Sequence, residues 1–158
     1  MASETATSTA TIERTEPGNW KAGVLAGLVG GAVMGAMLSA MMTPVIEAAI
    51  PALYGLSGGL AGWTIHMANS AILGVVFAGI AGALPRYAET SLKSAGLGAA
   101  YGVVLWVVLA GFVMPIWLGA VGFPMAPPVP NLDPMSLVGH VVYGAILGGV
   151  YAPLAGRI

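Results

Sequence analysis

Residues 139–152 read GHVVYGAILGGVYA, and residues 66–78, HMANSAILGVVFA, nearly repeat them. Aligned on their histidines, the stretches agree at Ala71/Ala145, Ile72/Ile146, Leu73/Leu147, Gly74/Gly148, Val76/Val150 and Ala78/Ala152, with Phe77 opposite Tyr151. His66 and His140 are the only histidines in the protein. The likeness continues outside this stretch. At an offset of 71 (27 to 98), Gly27, Gly31, Val33 and Pro44 meet Gly98, Gly102, Val104 and Pro115; at the histidines the offset is 74 (66 to 140). Two copies of one helical hairpin follow from this pattern. Each copy crosses its solvent an even number of times, so the hairpins are parallel, with a pseudo-twofold axis along the membrane normal.

Composition names that solvent. Of 158 residues, 58% are hydrophobic and 7% charged, where a soluble domain carries about 25% charged residues. A surface so poor in charge belongs in lipid. The net charge of −1 offers no basic footprint for nucleic acid. The chain has no cysteine, which removes disulfides, thiolate metal sites and covalent C-x-x-C-H haem attachment.

Residues 1–19 are rich in Ser, Thr and Glu without apolar periodicity and are expected to form a disordered cytoplasmic tail, without the layout of a signal peptide. The transmembrane domain is 20–158, with spans at about 22–46, 61–84, 95–121 and 135–155, each long enough for a hydrocarbon core of roughly 30 Å. The expected fold is all-α: an integral membrane four-helix bundle from two duplicated hairpins. Between the first two spans, Pro44, Glu47, Pro51 and Ser57-Gly58-Gly59 predict an interfacial or re-entrant connection. Between the last two, FPMAPPVPNLDP at 123–134 predicts a proline-dense loop. Arg14, Lys21, Arg86, Lys93 and Arg157 fall in the tail, the middle loop and the C-terminus, which places both termini in the cytoplasm by the positive-inside rule. Gly23, Gly27 and Gly31 form a small-residue stripe suited to a close helix contact. Met34, Met37, Met41 and Met42 read as packing residues of an apolar helix.

His66 and His140 each lie a few residues into a helix that starts at the outer face, within about 10 Å of that end. Diagonal axes of a four-helix bundle are roughly 11–14 Å apart, so the imidazoles could face each other. Three uses are open: hydrogen bonding to Ser70, Asn69, Tyr143 or a backbone carbonyl; a proton or small-ligand site; or axial ligation of a haem b. Gly144, four residues after His140, would leave room for a flat macrocycle, although its counterpart is Ser70. Pro44 and Pro115 should kink or end their helices and free carbonyls. A polar vestibule of His66, His140, Asn69, Tyr143, Pro44 and Pro115 is the expected pocket. Two histidines alone make a poor zinc site, and no catalytic signature is present.

Certain motifs resemble those of the YagU-type inner-membrane proteins: IHMANSAILGVVFAG at 65–79, MPIWLG at 114–119, the proline-rich outer loop, and LVGHVVYG at 137–144. The resemblance spans roughly 62–144, with a shorter first outer segment and a different tail here. It implies a small polytopic inner-membrane protein, in a family with a member linked to acid resistance. A non-enzymatic role in envelope or pH homeostasis is then the first expectation. A b-type haem electron-transfer subunit with His66 and His140 as axial ligands is the alternative. A structural subunit of a homo-oligomer or larger membrane complex, docking through the glycine stripe, is the third.

Overall fold

The computed structural model describes residues 18–158, and it is all-helical over them. Four helices are long and apolar enough to cross a membrane: α1 (Trp20–Met41), α2 (Gly59–Ala83), α3 (Ser91–Ala120) and α4 (Pro134–Ala155). The tail expected at 1–19 falls, up to residue 17, outside the described residues. Side chains satisfy the first free amides of three helices, as helix N-termini require. Asn19 accepts from the Ala22 N–H (3.1 Å), Thr90 from Lys93 (3.3 Å) and Asp133 from Ser136 (2.8 Å). The fourth, α2, starts instead after Gly58, whose φ of +90° suits only glycine.

The two prolines act differently from each other. The first span ends at Met41 rather than near residue 46, and Pro44 opens a separate short segment, Val45–Ala49 and Ile50–Ala52. This segment turns back into the protein, burying Ile46, Ile50 and Pro51. Gly62 of α2 lies directly against the Ile46 carbonyl. At Pro115 the expected helix end does not occur, and α3 runs through it to Ala120. The helix absorbs the missing N–H by widening into a π-helical stretch, Trp106–Val113, in which the Met114 N–H reaches back to Leu109. The carbonyl that Pro115 leaves free, that of Gly111, takes the Asn131 N–H at 2.9 Å.

Small residues set the packing. α1 lies along α2, α3 along α4, and α1 along α4, whereas α2 and α3 meet at only a few places. In the first pair a Cβ at Gly23 would strike the Gly74 carbonyl, and one at Gly27 the Ser70 carbonyl. In the second, a Cβ at Gly98 would strike the Gly144 carbonyl, one at Gly144 the Gly98 carbonyl, and one at Gly148 the Ser94 carbonyl. Gly27/Gly98 and Ser70/Gly144 are positions that the two sequence offsets relate. The stripe Gly23, Gly27, Gly31 is therefore buried within the chain, against α2, and presents no docking face. At the end of the bundle that holds Asn19 and Ile158, the Asn19 N–H donates to the Tyr151 hydroxyl (3.1 Å). Phe77 sits there edge-on to Tyr151, with ring centres 5.5 Å apart.

Candidate functional site

If both hairpins were alike in every residue, α1 would meet α4 as closely as α3 meets α2. One position breaks the equivalence. Gly30 of α1 lies against the backbone of Tyr143, where a Cβ would come within 2.9 Å of the carbonyl oxygen and 3.1 Å of the ring. At the offset of 71 its counterpart on α3 is Tyr101. The Tyr101 ring rests on Phe77, 5.7 Å between centres, and its hydroxyl donates to the Leu73 carbonyl of α2 at 3.0 Å. Glycine lets α1 and α4 touch; a phenol holds α3 away from α2. Above that strut, towards the end away from Asn19 and Ile158, a cavity of about 510 Å³ opens.

The cavity is lined by all four helices, with Met34 and Leu38 coming from α1. His66, Asn69, Ser70 and Leu73 line it from α2; Leu105, Leu109, Ala110 and Val113 from α3; Ser136, His140 and Tyr143 from α4. The π-helical stretch of α3 thus forms one wall, as such stretches often do beside functional sites. The segment that follows Pro44 covers the top, with Tyr54 packed on Trp117 at 5.5 Å. The proline-dense loop completes the cover, held by the Asn131–Gly111 bond and by the Trp106 indole N–H, which donates to the Asp133 carbonyl at 3.0 Å. Among the lining residues Ile72, Val113 and Trp117 are 61%, 40% and 41% exposed. They flank the gap between α2 and α3. Tyr54 and Met125, on the cover, are 50% and 67% exposed, so the lining reaches the surface there as well as at that gap. Replacing Trp106 with Phe removes a hydrogen bond worth about 1 kcal/mol. Amide exchange across residues 123–133 is expected to accelerate about fivefold, which mass-spectrometric exchange would read; unchanged rates would show that the indole does not hold the loop.

Both histidines line this cavity, yet they spend their protons differently. His66 is 8% exposed, and its Nε2–H donates across to the Gly31 carbonyl of α1 at 2.9 Å. His140 Nδ1–H donates to the Ser136 carbonyl of its own helix at 2.7 Å. A carbonyl only accepts, so each neutral ring carries its proton on the bonded nitrogen. That leaves His66 Nδ1 and His140 Nε2 as lone-pair acceptors without a partner among the described residues. The Ser70 hydroxyl donates to the His66 carbonyl (2.7 Å) and the Tyr143 hydroxyl to the Ser70 carbonyl (2.8 Å), closing the floor.

The expected pocket residues divide. His66, His140, Asn69, Tyr143 and Pro44 line the cavity. Pro115 is buried in α3 and acts through the Gly111 carbonyl, and Gly144 packs on Gly98, away from any cofactor face. His66 Nε2 is tied to the Gly31 carbonyl and His140 Nδ1 to the Ser136 carbonyl, so the ring nitrogens left open on the two histidines are of different kinds, Nδ1 and Nε2. No group of three His, Cys, Asp or Glu side chains converges among the described residues. Met34, Met37, Met41 and Met42 meet Met135 around a void of only about 10 Å³, the dense packing of flexible thioethers. Sequence reasoning passes over Tyr101, Trp106, Trp117 and Asn131. The signal for Tyr101 is its alignment with Gly30, a mismatch inside a repeat read for its identities.

Fold and site together define an all-helical protein of four membrane-length helices around a largely apolar cavity. The chain belongs to a family of unknown function (DUF6789), which it matches over residues 18–158. No curated protein and no solved structure matches it. The likeness to YagU-type proteins rests on the quoted motifs alone.

Proposed function

We propose that this chain is a non-enzymatic, multi-pass protein of the cell's inner membrane, with both termini cytoplasmic, that takes an apolar ligand from the bilayer into the cavity between α2 and α3. The observation that carries the reading is the parting of α2 from α3 by Tyr101 where α1 and α4 are joined at Gly30. The exposed rim residues Ile72, Val113 and Trp117 are apolar, so the mouth suits a molecule arriving through lipid rather than water. At about 510 Å³ the space lies within the usual range for small-molecule sites, roughly 300–1,000 Å³, and it has their usual make-up of apolar walls with a few polar groups. Holding a lipid-soluble molecule at the outer side of the membrane accords with a role in envelope homeostasis. Native mass spectrometry of the protein released from membranes in mild detergent tests this. A ligand adduct that survives delipidation and is lost when Ala110, on the cavity wall, is replaced with Trp is the expected result. A bare protein mass in both forms would remove the reading.

A further inference from the structure

We infer that the cavity holds the hydrocarbon chain of an amphiphilic lipid, whose head group stays outside, at the cover. This rests on the ligand-holding reading above and adds the class of ligand and the way it lies. Depth comes first. Along α4 the lining runs from Asp133, beside the cover, to Tyr143 at the floor. That is ten residues (133 to 143), or about 15 Å at the helical rise. One leaflet supplies about half of a hydrocarbon core of roughly 30 Å. The space is as deep as a leaflet, so a chain can lie in it upright, as it lies in the bilayer.

Polarity gives the direction. At the covered end the lining carries Tyr54, Trp117, Asn131 and Asp133, none of them buried. Lower down, the Ser70 and Tyr143 hydroxyls and one nitrogen of each histidine are already bonded to backbone carbonyls. Met34, Leu73 and Leu105 line that deeper part without a polar atom. A wholly apolar ligand filling the space would press hydrocarbon on the polar end, and a head group at the floor would lose its water for few partners. A chain below and a head above meet neither cost. The upper groups include donors, the Tyr54 hydroxyl and the Trp117 indole N–H, and an acceptor, the Asp133 carboxylate, so they prescribe no single head. An outer-leaflet lipid passing between α2 and α3 also keeps its head at the membrane surface throughout, and no polar group crosses the hydrocarbon.

The test uses the full-length protein in phosphatidylcholine nanodiscs and two forms of myristoyl lysophosphatidylcholine, one with a diazirine at the far end of the chain and one with it beside the ester. A tetradecane bearing the same diazirine serves as the headless probe. After photolysis, peptide mapping locates each label. The far-end probe is expected on Leu105 and Tyr143, which are 6% and 2% exposed and hidden from the lipid-facing surface. The ester probe is expected to shift to Tyr54 and Met125, and excess untagged lysolipid to displace both labels. Lysolipid labels at one level or in the reverse order, or labelling of Leu105 and Tyr143 by tetradecane alone, would overturn the head-out inference while leaving the cavity an occupied site. If no probe reaches Leu105 or Tyr143, or if excess lysolipid displaces nothing, the ligand-holding reading itself fails.

Discussion

Replacing Gly144 with Ala is expected to destabilise the protein by about 3 kcal/mol, the upper part of the range for overpacking a close-packed interior. The new methyl would fall on the Gly98 carbonyl oxygen, and Gly98 in turn lies with its α-carbon against the Gly144 carbonyl. Neither atom belongs to a side chain that can swing away, so the helices themselves must separate, and every contact along α3 and α4 loosens with them. Gly79 provides the contrast. It lies in α2 with open space for 4 Å around the point where an alanine methyl would stand, so Gly79→Ala should stabilise by up to about 1 kcal/mol through helix propensity alone. One chemical change thus carries opposite signs at two sites. Unfolding midpoints in detergent measure both, and a loss of equal size at each would show that the glycine contacts do not set the helix spacing.

The second large effect is at Tyr101. Giving α3 the residue that α1 has at the equivalent place, Tyr101→Gly, removes the strut between α3 and α2. The two helices are then expected to close to the ordinary interaxial distance of about 8–10 Å, with the cavity shrinking and its ligand lost. Tyr101→Phe separates spacing from bonding. It forfeits the hydrogen bond to the Leu73 carbonyl, worth about 1 kcal/mol, but keeps the ring against Phe77, so the cavity and its ligand should remain. Because the chain contains no cysteine, spin labels on single cysteines introduced into α2 and α3 report the spacing directly. A distance unchanged in Tyr101→Gly would contradict the strut.

Much of the fold is legible in the sequence because lipid imposes a simple rule. A span is an unbroken apolar run, and four of them stand out between polar or proline-rich breaks. The hairpins are legible too, since the small residues that let α1 meet α2 and α3 meet α4 recur at matched positions such as Gly27 and Gly98. Pro44 and Pro115 show where this reasoning runs short. Both lack an amide, but the consequence depends on what can take up the slack: a chain break after Met41 in one case, a widened helix and the Asn131 amide in the other. Such compensation is tertiary and leaves no local pattern. The cavity is half legible. His66, His140, Asn69 and Tyr143 announce themselves as polar residues within apolar helices. Their different partners, Gly31 for one histidine and Ser136 for the other, follow from ring orientations that an aligned pair of histidines does not reveal. The gap itself depends on a difference between copies, Gly30 against Tyr101, in a repeat whose identities draw the eye.

The measurement that bears most directly on the central claim is ligand loading after α2 and α3 are tied together across the mouth. Ile72→Cys and Val113→Cys flank the opening, and with no other cysteine present a bismaleimide joins that pair alone. Uptake of a diazirine-tagged apolar probe from nanodisc lipid is expected to slow at least about tenfold once the bridge is closed, and to recover when a cleavable linker is cut. Uptake at the same rate with the bridge intact would mean that the ligand does not pass between α2 and α3, and the side-opening account would fail.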